Sequence, residues 1–302
     1  MKKFIVHILI CASILFVIDK LAYFILKETP KHIYDTRLKK VLDGEMNKEL
    51  IVLGSSKGAG NIIASQIEKE TGYESYNLSY MGSHIIFHEF VLRKVLAHNK
   101  PPKIVLLTID NPQTLLDEKS LNFRFDKLYP LSIYNEVNDE LIAQNDRSIL
   151  SQFFLMGRLS KAHINYSNEK PSKDNPLLED GSMPFIRVNP KSKREFITQK
   201  TTYTKHKEQK DKLGALKSIQ DLCRKNNIHL YYIFNPTMSN FNSSFYKRFL
   251  ELVHTKNNVF MYNESNSIYK QKSTYFDQSH LMIEGAKVFT TEISEFIKSH
   301  NP

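Results

Sequence analysis

The chain has 302 residues, enough for one large domain or two small ones, and its 41% hydrophobic and 25% charged content is that of a folded globular protein. Its formal charge is +10, so its partners are expected to be anionic, yet Lys and Arg are scattered and no zinc-finger, RRM or helix-turn-helix pattern is present. Nucleic acid is therefore not an expected partner, and two distant cysteines, Cys11 and Cys223, exclude a disulfide framework.

Residues 1–27 open with Lys2 and Lys3, run apolar from Phe4 to Ile18, pass Asp19 and Lys20, and continue apolar to Leu26. Counted through to Leu26, the run reaches the ~20 residues that a bilayer core requires. The basic start also fits a signal peptide, but no small-x-small cleavage site follows, and Ile10 precedes Cys11 where a lipoprotein signal needs a small residue. The segment is read as an uncleaved, single-pass membrane anchor, N-terminus inside, with the remaining chain extracytoplasmic. Residues 28–48 are polar and read as a juxtamembrane connector.

Residues 49–302 read as one domain. From 49 to 110, short apolar runs alternate with helical periodicity. Strands are expected at Glu49–Leu53, Ser75–Leu78 and Lys103–Ile109, with helices at 59–71 and 85–97. Strands this short and this apolar predict a parallel sheet covered on both faces. Residues 111–205 break the alternation: 131–164 has helical patterning, and 169–205 is polar with four prolines and a small basic cluster at Lys191, Lys193 and Arg194. This mainly helical and irregular stretch is too long for a plain connection and reads as an insertion over the active face. The alternation resumes with a helix at 206–225, a strand at His229–Phe234, a helix at 241–254, a strand at Val259–Tyr262 and a last helix from 283 to 299.

In an open parallel sheet, ligands bind at the carboxyl ends of the strands. Four polar groups are predicted there: Gly54-Ser55-Ser56 after the first strand, Gly82 after the second, Asp110-Asn111 after the third, and Asp277 with His280 before the last helix. An Asp and a His three residues apart form two thirds of a nucleophile-activating relay. Ser56 is the expected nucleophile, His280 the base and Asp277 the group that orients the imidazole; Ser55 is the rival nucleophile. The N–H groups of Ser56 and Gly82, with the Asn111 amide, are the expected oxyanion donors. Taken singly, Gly-Ser-Ser is a β-to-α turn with a capping Ser, and Asp-x-x-His is a turn with a satisfied histidine. His84 and His88 have ligand spacing without a third ligand, so a helix face is the reading and no metal is expected. Asn235-Pro236 reads as a turn at the same edge.

The chain resembles the SGNH/GDSL-type hydrolases and acyltransferases. Gly54-Ser55-Ser56 looks like their first motif, with Ser55 in place of the usual Asp. Asn77-Leu78-Ser79-Tyr80-Met81-Gly82 looks like the second, and Asp277-Gln278-Ser279-His280 like the terminal Asp-x-x-His. The third motif, Gly-x-Asn-Asp, is absent; Thr108-Ile109-Asp110-Asn111-Pro112 stands in its place. The resemblance implies a flavodoxin-like three-layer α/β/α fold with a five-stranded parallel sheet and a serine esterase or O-acyltransferase without cofactor. It also implies an acylated carbohydrate or envelope polymer as substrate, as in membrane-anchored members that D-alanylate teichoic acids or acetylate envelope polysaccharides. The competing reading, motivated by the missing motif, is a non-catalytic envelope-assembly or polymer-binding protein on a degenerate scaffold. Oligomeric state, acyl group and acceptor are not specified by the sequence.

Overall fold

A computed structural model describes residues 1–165, 171–188, 194–254 and 258–300. Lys191 and Lys193 of the predicted basic cluster lie outside these residues. The chain divides into two compact units, Met1–Leu42 with Arg124–Pro171, and Asp43–Phe123 with Ser172–Pro302. In chain order the helices are α1 (Lys2–Glu28), α2 (Arg37–Leu42), α3 (Ser56–Asn61), α4 (Ala64–Thr71), α5 (Ile85–His98), α6 (Phe125–Leu128), α7 (Asn135–Ala143), α8 (Ala162–Asn165), α9 (Lys210–Lys225), α10 (Ser243–Leu252) and α11 (Ile283–Ser299). The strands are β1 (Leu50–Leu53), β2 (Ser75–Asn77), β3 (Ile104–Ile109), β4 (His229–Phe234) and β5 (Val259–Met261).

The second unit holds the sheet. Its five strands are all parallel in the order β2-β1-β3-β4-β5, the flavodoxin-like arrangement. Every residue of β1 and β3 is buried, which explains their unbroken apolar runs: both faces are covered. Alternate residues serve opposite layers. Leu50, Val52, Ile104, Leu106, Tyr231 and Ile233 share one core with Ile67 of α4 and Phe289, Ile293 and Ile297 of α11. Tyr232 and Phe234 point to the other face, where their rings meet Phe249 of α10 edge-on at 5.2 and 5.4 Å. The predicted three-layer α/β/α fold is the observed one.

The predicted helix over 59–71 is two helices. α3 begins three residues earlier, at Ser56, and the chain leaves helical geometry at Ile62 and Ile63. The backbone groups freed there are taken by distant side chains. Asn77 Nδ2 donates to the carbonyls of Gly58 and Ile62, Thr290 Oγ1 accepts from Ile63 N, and Ser182 Oγ accepts from Ala64 N. Periodicity cannot reveal such a break, because the partners come from other parts of the chain.

In the first unit, α1 is 27 residues long and apolar enough to cross a membrane. The helical patterning over 131–164 gives only α7, α8 and tight 3-10 turns at Ile149–Gln152 and Leu155–Arg158. The reason lies in burial: Val137 and Leu141 of α7 are core residues, whereas Ile149, Leu150, Phe153 and Phe154 face outward.

Candidate active site

Gly54 ends β1 and is required there. A Cβ on it would stand 1.8 Å from Thr108 Oγ1 of the neighbouring strand β3. This close approach carries the chain directly into α3 from the carboxyl edge of the sheet. Ser55 is the N-cap: its Oγ accepts from Lys57 N at 3.3 Å. The same hydroxyl donates to Asp110 Oδ1 at 2.9 Å, and Ser55 is fully buried. The rival nucleophile is thus a structural serine, joining the end of β1 to the end of β3.

Ser56 comes next, at the first position of α3, and is partly exposed. Its Oγ lies 2.7 Å from His280 Nε2. His280 Nδ1 lies 2.8 Å from both carboxylate oxygens of Asp277. With the Nδ1 proton directed to Asp277, Nε2 presents its lone pair to the Ser56 hydroxyl. Asp277 Oδ1 also accepts from the N–H groups of Ser279 at 2.8 Å and His280 at 2.9 Å. Burial acts to raise the Asp277 pKa, but the hydrogen bonds from His280 and these two N–H groups prevail and hold it below the usual carboxylate range. The acid is ionised at neutral pH and its orientation is fixed by its own loop.

That loop is fastened on several sides. Phe276 N donates to His280 O, closing the turn, and Leu281 is fully buried. Leu281 N donates to Asn61 Oδ1 at 2.9 Å, while Asn61 Nδ2 reaches Asn235 Oδ1 at 3.3 Å. After β4, Thr237 Oγ1 and Met238 N both donate to Gln278 O. Asn235-Pro236 therefore belongs to a support under the histidine loop. From the 111–205 stretch, the Phe185 ring stacks on Phe276 with centroids 4.2 Å apart and lies 5.0 Å from the His280 ring. Sequence reasoning missed Asn61, Thr237 and Phe185. Asn61 stands five residues after Ser56, at the far end of the same short helix, and is the one with a positional signal.

Gly82 follows β2 with φ of +70°, a conformation that favours glycine. Among the described residues, the N–H groups of Ser56 and Gly82 have no hydrogen-bond acceptor within the protein. Both residues line a cleft of about 410 Å³ together with His280 and Asn111. The Asn111 amide nitrogen lies 3.5 Å from Asn242 O, at the long limit for a hydrogen bond, and its Oδ1 is buried without a partner. Lys57 enters the cleft with its Nζ 3.7 Å from Asp110 Oδ1. Most of the remaining wall is neutral and polar, including Gln113, Gln199, Thr201 and Asn240.

His84 and His88 stand apart from this cluster. His88 Nε2 is 2.8 Å from Ser83 Oγ, and burial lowers its pKa to about 3 and that of His84 to about 4. Both rings are neutral parts of the packing around α5. Among the described residues, no three His, Cys, Asp or Glu side chains group as metal ligands.

Fold and site together define a three-layer α/β protein with a linked Ser, His and Asp at the carboxyl edge of its sheet. No protein-family model and no curated protein sequence matches the chain. Among solved structures, an acetyl xylan esterase (Est2A) from the rumen bacterium Butyrivibrio proteoclasticus is a distant likeness, at 10% identity and a TM-score of 0.34. The match covers 83% of this chain and 63% of that one, so the chain spans less than two thirds of that esterase. The functional reading therefore rests on the site itself.

Proposed function

We propose that the protein is a membrane-anchored serine esterase or O-acyltransferase of SGNH type, acting on acyl groups of a carbohydrate or envelope polymer. The observation that carries this reading is the continuous hydrogen-bonded line from Asp277 through His280 to Ser56, with contacts of 2.8 and 2.7 Å. Ser56 Oγ attacks the acyl carbonyl carbon as its proton passes to His280 Nε2. Ionised Asp277 stabilises the imidazolium and keeps the ring oriented. The oxygen that becomes negative is received by the N–H groups of Ser56 and Gly82, each such donor being worth about 3 kcal/mol in comparable sites. The tetrahedral centre collapses, His280 returns the proton to the departing alcohol, and the acyl group remains on Ser56. Water or a second hydroxyl, deprotonated by His280, then attacks the acyl-enzyme and frees the serine. Hydrolysis and transfer share every step but the identity of that last nucleophile. No residue role in this sequence needs a metal.

The amide- and hydroxyl-rich cleft wall supports a substrate that offers many hydroxyl groups. The formal charge of +10 favours an anionic polymer around it. The full-length protein is to be treated with a fluorophosphonate probe. Covalent labelling of wild type, absent in folded Ser56→Ala, is the expected result. A wild type that resists labelling favours the non-catalytic scaffold reading, and equal labelling of both overturns Ser56 as the nucleophile.

A further inference from the structure

The first unit carries an apolar surface that the site chemistry does not use. Ile149, Leu150, Phe153, Phe154, Met156 and Ile164 expose between 43% and 78% of their surface. They lie on two consecutive 3-10 turns, on the Phe153-Phe154 link between them and on the short helix α8. Exposed aromatic and branched residues at this density mark a contact surface rather than scattered singles.

The turns that carry them are firmly built. Ser148 caps the first turn through Leu150 N. The Arg158 side chain, itself buried, donates to Ser151 O at 2.8 Å and to Asn135 Oδ1 at 2.8 Å, tying both turns to α7. A Cβ at Gly157 would meet Ser151 at 3.2 Å, so the two turns touch. The apolar side chains are therefore held outward by a polar frame behind them.

Their location relative to α1 identifies what they meet. Asp19 is the single acidic residue inside the apolar part of α1, and it is 5% exposed. Its Oδ1 accepts from Met156 N at 2.9 Å, so the second turn docks on the helix at this residue. Asp19, Ala22 and Leu26 are the buried residues of α1 and form one face. Every residue from Lys2 to Ile18 is exposed. From Lys2 to Asp19 the helix rises about 25 Å at ~1.5 Å per residue, close to the ~30 Å of a hydrocarbon core. Beyond Asp19, Leu21, Phe24 and Ile25 continue the exposed apolar surface on the undocked side. The turns thus sit beside the last part of the span, where hydrocarbon gives way to headgroups; Lys20 lies at the level of Asp19, and Lys27 follows about 10 Å further along the helix.

We infer that segment 149–164 is a second membrane contact: an apolar ledge that enters the acyl–headgroup boundary beside the C-terminal end of α1, with lipid as its occupant. It holds the first unit against the bilayer surface on two supports instead of one. The inference rests on α1 being a membrane span.

The test uses the full chain in phosphatidylcholine–phosphatidylglycerol vesicles, with an environment-sensitive fluorophore on single cysteines. Native Cys11 is exposed on α1 and reports the span, about 12 Å deeper along the helix than Asp19. Cys223 is buried and stays unlabelled. In a Cys11→Ser background, Phe153→Cys and Leu150→Cys report the ledge at two independent positions. Lys217→Cys, on an exposed face of α9, serves as the aqueous reference. The expected result is blue-shifted emission at positions 153 and 150, quenched more by a nitroxide near the headgroup than by one at the acyl terminus. The Cys11 label should show the reverse order. A deeply quenched Cys11 label with positions 150 and 153 as wet as 217 overturns the ledge and leaves the anchor standing. A water-exposed label at Cys11 as well overturns the span and the ledge together.

Discussion

Asp277→Asn tests the relay with little change of shape. In the wild type, Asp277 Oδ1 already accepts two backbone N–H groups, and Oδ2 faces His280 Nδ1 at 2.8 Å. The amide oxygen can keep both backbone bonds, which places the NH2 group against Nδ1. Nδ1 must then accept, so the ring carries its proton on Nε2, pointed at Ser56 Oγ 2.7 Å away. The base loses the lone pair it needs, and the imidazolium loses its counter-charge. Both effects act in the same direction, and the loss expected for this change in a serine relay is ~10⁴-fold in kcat, equivalent to about 5.5 kcal/mol. Folding should be nearly unaffected, because the loop's own hydrogen bonds survive. Asp277→Ala removes them and should lower stability by about 1–2 kcal/mol in addition. The assay is turnover of an activated acetyl ester together with the rate of phosphonate labelling, each beside a thermal melt. An Asp277→Asn protein that melts like wild type and retains activity within tenfold would refute the assignment of His280 as the base.

Three further outcomes follow from the same geometry. Ser55→Ala should cost about 1–2 kcal/mol by deleting an N-cap and a buried bond to Asp110, yet the phosphonate should still mark Ser56; loss of all labelling in the folded variant would contradict this. Gly54→Ala should destabilise by about 1–3 kcal/mol through its collision with Thr108 Oγ1, and Thr108→Ala should recover part of that loss in denaturant titrations of the double variant. The third concerns Asp35 beside buried Arg37: burial acts to raise its pKa, but the guanidinium prevails and lowers it to about 2. Because the folded value lies below the unfolded one, near 4, the stabilisation is complete above pH ~4 and lost as pH falls toward 2, about 2 kcal/mol in all. Urea titrations of the full chain in detergent should show this acid slope in wild type and a flatter one in Asp35→Asn.

The legible parts of the fold were those whose burial is complete. β1, β3 and β4 sit inside the sheet with helices on both faces, so their sequences are nearly continuous apolar runs. α11 shows a single apolar stripe through Ala286, Phe289, Ile293 and Ile297 because one face meets the core. Elsewhere the pattern misled. Ile149, Leu150, Phe153 and Phe154 have helical spacing but face outward from tight turns, since hydrophobicity alone does not say whether core or lipid will cover a side chain.

By itself, the sequence determined the alternation of strands and helices, the apolar N-terminal helix, and the edge of the sheet on which Ser56, Gly82, Asn111, Asp277 and His280 would gather. Chain direction settles that edge in a parallel sheet, because every strand ends on the same side. The tertiary structure decided what needs distances between remote residues. It separated Ser56 from Ser55, which differ by one position but by rotation about the start of α3: one hydroxyl turns to Asp110 and the other to His280. It divided α3 from α4 through Asn77, Ser182 and Thr290, and it fastened the His280 loop through Asn61, Thr237 and Phe185. These side chains are ordinary polar or aromatic residues in the sequence, and they acquire their positions only from partners far away in the chain.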